Sequence, residues 1–140
     1  MKIVVIDGQG GALGKSIIAS LKKKLPDAQV LAIGTNSVAT AAMLASGADN
    51  GATGENPAVV ACADADVIAG PIGIIAANSM FGEITPRMAA AVGASRAQKV
   101  LIPVSRCQIV VVGGTELSYA EYVKLAVETI AGEAKNAAGS

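Results

Sequence analysis

Ile3-Val4-Val5-Ile6-Asp7-Gly8-Gln9-Gly10-Gly11-Ala12-Leu13-Gly14-Lys15 joins a β-branched run, a glycine-rich turn and the start of an apolar-periodic segment. Strand, glycine turn and helix in succession form an arrangement that holds phosphate. Glycine lets the backbone turn sharply and approach a ligand closely, while the free N–H groups of the first helical turn point at the anion.

Outward from this stretch, Ile17, Ile18, Leu21 and Leu25 fall at helical spacing after Lys15. Lys22-Lys23-Lys24 sits at the C-terminal end, where cations complement the helix dipole, and Pro26-Asp27 stops the helix. Gln29–Ile33 reads as a second buried strand ending at Gly34, which completes a β-α-β unit. Asn36 or Ser37 caps a helix to Ser46, ended by Gly47, and Ala48–Ala52 is a short third strand. Asn56-Pro57 reads as a cap followed by proline at the first helical position, opening a helix to Cys62. Asp66–Gly70 is a fourth strand, and Pro71 and Gly73 open a helical segment through Ala76, Ala77 and Met80. Thr85-Pro86 repeats the cap-and-proline signal for a helix to Ala94, and Lys99–Pro103 is a fifth strand.

Only Ser105-Arg106-Cys107 separates that strand from the apolar run Gln108–Val112. A parallel neighbour needs a crossover of about a dozen residues or more, so this run is expected to pair antiparallel at the sheet edge. Thr115 caps a final helix from Ser118 to about Gly132. Alternating strands and helices give an α/β fold: a Rossmann-like, doubly wound three-layer α/β/α sandwich, mostly parallel, with strand order 3-2-1-4-5 and an antiparallel edge strand. Residues 1–136 form one domain and 137–140 a flexible tail. The crevice opens at the C-terminal ends of strands one and four, beside Gly8–Gly14, Gly34-Thr35-Asn36, Gly70-Pro71-Ile72 and Pro103–Cys107.

The composition narrows the function. Eleven basic and 11 acidic residues cancel, which leaves no electrostatic case for nucleic acid or an anionic membrane. One Phe, two Tyr and no Trp supply little for base-stacking platforms. Apolar residues make up 52%, yet the most apolar stretch, Val67–Met80, is broken by Gly70-Pro71 and Gly73, so no membrane span is expected. Lys2 leads directly into a strand, without the pattern of a signal peptide, and the chain reads as cytoplasmic. So apolar a composition on a small domain points to apolar surface buried by self-association, in a homo-oligomer such as a dimer. Without histidine, and with Cys62 and Cys107 far apart, no metal site is expected, and both thiols read as buried and free.

The glycine turn admits three readings. Gly8-x-Gly10 has Gly14 one place late for G-x-G-x-x-G, whereas Gly8, Gly11 and Gly14 fit G-x-x-G-x-x-G. The second spacing resembles that of short-chain and atypical reductases and implies NAD or NADP. A P-loop reading takes Gly14-Lys15-Ser16 as its end, but its first glycine falls on Gln9. The third reading is a turn that only packs helix on strand. Two features oppose a plain NAD site. No acidic residue follows the second strand until Asp49, Thr35 and Asn36 standing where a ribose-binding carboxylate belongs. Asp7 also repels phosphate unless it turns onto backbone N–H groups or shares a metal with the ligand.

The cofactor-binding candidates are Gly8, Gln9, Gly10, Gly11, Ala12, Leu13, Gly14, Thr35, Asn36 and Pro71. Asn78, Glu83 and Thr85 cluster in a segment able to overhang the crevice, and with Ser105 they are the substrate-binding candidates; the competing reading is capping polars in a helix connection. No catalytic residue is assigned. Tyr119 is followed at four residues by Val123 and Tyr122 by Ala126, so the Tyr-x-x-x-Lys pair of short-chain reductases is missing.

Several segments together resemble a small uncharacterised bacterial family of Rossmann-like proteins, a domain of unknown function. They are Val5–Gly11, Gly34-Thr35-Asn36, Gly51–Asn56, Gly70–Gly73, Asn78-Ser79-Met80 and Gly82–Pro86. The resemblance spans most of the chain and implies the fold without an activity. Two functions are therefore carried forward. One is a nucleotide- or dinucleotide-binding protein of the NAD(P)-dependent oxidoreductase class, with phosphate on the Gly8–Gly14 turn. The other is a non-catalytic ligand-sensing or scaffold domain.

Overall fold

Five strands, all parallel, lie in the order β3-β2-β1-β4-β5: β1 is Lys2–Asp7, β2 Gln29–Gly34, β3 Asn50–Thr53, β4 Val67–Pro71 and β5 Gln98–Ile102. The computed structural model describes residues 1–104, 108–114 and 116–139, with side chains through 137. Helices α1 (Ala12–Lys24), α2 (Ser37–Ala45) and α5 (Tyr119–Gly139) cover one face, and α3 (Glu55–Asp64) and α4 (Pro86–Ala94) the other.

The layering follows from handedness. Moving from β1 through β2 to β3 runs in one direction across the sheet, and moving from β3 to β4 and on to β5 runs in the other. Right-handed crossovers place the two sets of helices on opposite faces. Alternate residues of β1 feed both cores. Ile3 and Val5 join Ile17, Leu21 and Ile130, while Val4 and Ile6 join Ile68, Ile74 and Val92. A strand buried on both faces reads as a continuous apolar run, as Ile3–Ile6 does here. The direction of winding reverses between β1 and β4, which pair from Ile3↔Val67 to Val5↔Ala69.

The antiparallel edge strand does not form. Among the described residues, the run from Gln108 to Val112 joins no sheet, and Val110 and Val112 are 86% and 94% exposed. A β-branched run becomes a strand where it has a face to bury. Here α5 already covers β5 and α1 with Val123, Ala126, Val127 and Ile130, and Gln108 takes a left-handed φ of 55° that extended pairing does not allow. Ser105, Arg106, Cys107 and the expected cap Thr115 lie outside the described residues.

Three helix boundaries also differ. Helix α1 begins at Ala12 rather than Lys15, and α5 continues to Gly139. Helix α3 begins at Glu55, which puts Pro57 in the first turn, where its missing N–H has no intrahelical role. The helix expected through Met80 shrinks to a 3₁₀ turn, Ile72–Ile75, followed by a loop with left-handed Asn78, Met80, Phe81 and Gly82. Buried Ile84 anchors the end of that loop, and its carbonyl accepts from the Asn78 amide at 2.7 Å. No helix among the described residues is long and apolar enough to cross a membrane.

Candidate functional site

Where the winding reverses, the C-terminal ends of β1 and β4 flank a cleft of about 700 Å³. One wall is the glycine turn from Gly8 to Leu13, and the other is the loop from Pro71 to Phe81. Tyr119 at the start of α5, with Val104 and Gln108, closes the outer end. No Lys or Arg lines this space among the described residues.

Asp7, the last residue of β1, faces the turn and is only 5% exposed. Its Oδ1 accepts from the Gly8 amide and its Oδ2 from the Gly14 amide, both at 2.8 Å. Gly11 stands at the N-cap position of α1 and has no side chain with which to cap, so Asp7 does that work from the preceding strand. Burial pushes the Asp7 carboxyl above its ordinary pKa of 3.8. The Gly14 and Gly8 amides oppose that rise, and the negative charge of Glu83 adds to it.

The first-turn amides are thus divided. Gly11 donates to the Gly8 carbonyl at 2.9 Å and Gln9 to Glu83, while Gly8 and Gly14 serve Asp7. Among the described residues, the amides of Gly10 and Ala12 have no protein acceptor. The seat for an anion is consequently smaller than a fully open helix start.

Glu83 reaches the turn from the loop before α4. Its Oε1 accepts from the Gln9 amide at 2.9 Å, the Thr35 hydroxyl at 2.5 Å and the Asn36 carboxamide at 2.8 Å. Partial burial raises its pKa, but the donors from Thr35, Gln9 and Asn36 together outweigh burial and hold it below the ordinary 4.5. Asn36 also caps α2 by accepting from the Ala39 amide at 2.9 Å, which fixes the side chain that Glu83 meets.

The candidates therefore separate. Gly8 through Leu13, Pro71 and Asn78 line the cleft, whereas Gly14 lies beneath it against Asp7. Thr35, Asn36 and Glu83 gather on the far side of Gln9, at the end of β2, and do not line the cleft. Thr85 belongs to neither group: it caps α4 by accepting from Met88 and donates to Glu55 at 2.6 Å. Ser105 lies outside the described residues.

The sequence pattern gave Phe81 and Tyr119 no role in the site, yet both line the cleft, 98% and 58% exposed. The available signal was a solitary phenylalanine in a chain with 2% aromatic residues, placed beside Gly82 in a turn. A buried role was the natural reading of that residue, and its left-handed φ of 56° is not visible in the sequence.

The family model described as a domain of unknown function, DUF3842, matches residues 2–135. The chain belongs to the DUF3842 family. That match takes in the glycine turn, the Glu83 loop and nearly all of α5. No curated protein and no solved structure matches the chain. Among the described residues, no cluster of His, Cys, Asp and Glu is arranged to hold a metal ion.

Proposed function

We propose that this DUF3842 chain binds a nucleotide or dinucleotide across the glycine turn, with NAD or NADP as the cofactor class. The observation that carries the reading is the switch-point cleft, whose floor presents the Gly10 and Ala12 amides, which have no acceptor among the described residues. A doubly wound sheet receives its ligands outside the C-terminal ends of the strands at this point. Two backbone amides on a helix start that carries the positive end of a dipole suit a pyrophosphate, which needs no lysine or arginine when its charge is shared along the turn. Asp7 supports the reading, because both of its oxygens are spent on amides rather than left facing the phosphate.

Turnover is the second question, and the lining favours a ligand-sensing role over an oxidoreductase. Apart from Asp7, the polar side chains on the described walls are Gln9, Asn78, Ser79, Gln108 and Tyr119. None of these is a carboxylate, lysine or histidine of the kind that general acid–base chemistry most often uses near neutral pH. Self-association is part of the proposal: Val110, Val112 and the cleft-lining Phe81 leave exposed apolar surface that a second copy would cover.

The test is a thermal-shift panel of NAD, NADP, FAD, ATP, S-adenosylmethionine and sugar phosphates. A ligand at about 100 times its dissociation constant stabilises the fold by roughly 2.7 kcal/mol. Stabilisation by NAD or NADP is the expected result. A panel in which nothing shifts the transition returns the glycine turn to a packing role.

A further inference from the structure

The sequence has no acidic residue after β2 to receive a nucleotide's ribose, but the fold brings one to that place. We propose that Glu83 is the ribose-diol acceptor, delivered to the end of β2 from the loop before α4. The inference rests on the nucleotide-binding reading above and specifies the sugar: a ribose with free 2′ and 3′ hydroxyls, so NAD rather than NADP.

Three observations carry it. The first is place. Thr35 follows directly on the last residue of β2, and Gln9 lies in the glycine turn, so a carboxylate bonded to both stands between the strand end and the phosphate seat. Rossmann-type sites hold the ribose diol in that interval.

The second is the division of labour between the two oxygens. Oε1 is filled by three donors, which fix the orientation of the carboxylate. Among the described residues no donor reaches Oε2, and no fully buried side-chain oxygen there lacks a partner, so Oε2 keeps some exposure to solvent. A fixed carboxylate with one open oxygen is a ready acceptor for hydroxyl donors and has nothing with which to attract a 2′-phosphate.

The third is the backbone. The loop that delivers Glu83 holds Asn78, Met80 and Phe81 at φ of 66°, 55° and 56°, conformations that cost free energy in residues with side chains. Continuity completes the case: Gln9 lines the cleft on one side and donates to Glu83 on the other, so a dinucleotide lying over the turn spans both.

The experiment is titration calorimetry of the full chain with ADP-ribose, its 2′-deoxyribose analogue and its 2′-phosphate. The wild type is expected to bind ADP-ribose at least tenfold more tightly than either analogue. In Glu83→Gln the side-chain carbonyl keeps the three donors while the open oxygen is lost, and the preference for the free diol should collapse. A residue that merely holds the loop would weaken all three ligands alike and leave the ratio unchanged. That result overturns the assignment while nucleotide binding stands. A wild type that binds none of the three overturns both readings.

Discussion

Gly14 donates its amide to Asp7 Oδ2 at 2.8 Å, so the third residue of α1 is capped by the last residue of the strand before it. This bond joins the two elements that the glycine turn separates, and it sets the number of amides left for a ligand. Asp7→Asn keeps an oxygen for one of the two amides and turns an NH₂ toward the other. A buried N–H without an acceptor and a lost cap together cost about 2 kcal/mol. Urea unfolding at pH 7 should show that loss; an unchanged midpoint would mean that the cap is dispensable.

The same carboxylate has a pH signature. Because burial raises its folded-state pKa above 3.8, its contribution to stability is largest below 3.8 and is lost as pH rises through the folded value. Glu83 has the opposite sign: its contribution is present above 4.5 and is lost as pH falls through its lowered folded value. Unfolding midpoints measured from pH 7 down to pH 3 should therefore part in the two variants. Asp7→Asn removes a gain on acidification, and Glu83→Gln removes a loss. Parallel curves for the two variants would contradict these environments.

Much of the architecture was legible because it rests on local patterns. The apolar runs at Ile3–Ile6 and Val67–Ala69 suit strands covered on both faces, and strands alternating with helices point to a doubly wound parallel sheet. The site was legible only in part. Asp7 turning onto amides was one of the readings open to sequence, since a carboxylate at that place has few other ways to coexist with the turn. Glu83 meeting Thr35 was not, because they stand 48 positions apart with a left-handed loop before Glu83, and neither obeys a periodicity. Gln108–Val112 misled for a related reason: its β-branched residues signal extended backbone, but α5 had taken the surface that such a strand would bury.

Cys62 should be chemically silent. It is buried, and desolvation pushes its thiol up to about 11, only partly offset by the charge of Lys99. Thiolate is the reactive form, so alkylation at pH 8 followed by site-resolved mass spectrometry should leave Cys62 unmodified until denaturant is added. Rapid labelling in the native state would show that α3 opens away from the sheet.

Val110 and Val112 test the self-association proposal. Both are almost fully exposed, and neither contributes to either core. Val110→Lys with Val112→Lys should leave the melting temperature of a monomer within a degree or two, because surface substitutions away from special features change stability by about 0.5 kcal/mol or less. Sedimentation should then show a dimer in the wild type and a monomer in the double variant. A wild type that is monomeric at tens of micromolar removes the proposal.

The glycine turn provides the sharpest test, because its glycines do different work. A Cβ on Gly11 would meet the Ala39 backbone of α2 at 2.9 and 3.0 Å, and its φ of +73° is already strained for any side chain. Gly11→Val should therefore destabilise the fold by 2 kcal/mol or more, on the order of other overpacked sites, whatever its effect on ligand. A Cβ on Gly10 meets nothing within 4 Å. Its amide has no acceptor among the described residues, and the residue lines the cleft. Gly10→Val should fold with nearly wild-type stability and lose nucleotide binding at least tenfold, since the added methyl groups occupy the space a phosphate needs. Unfolding curves and nucleotide titrations on both variants separate packing from binding. If Gly10→Val binds as the wild type does, phosphate does not sit on this turn.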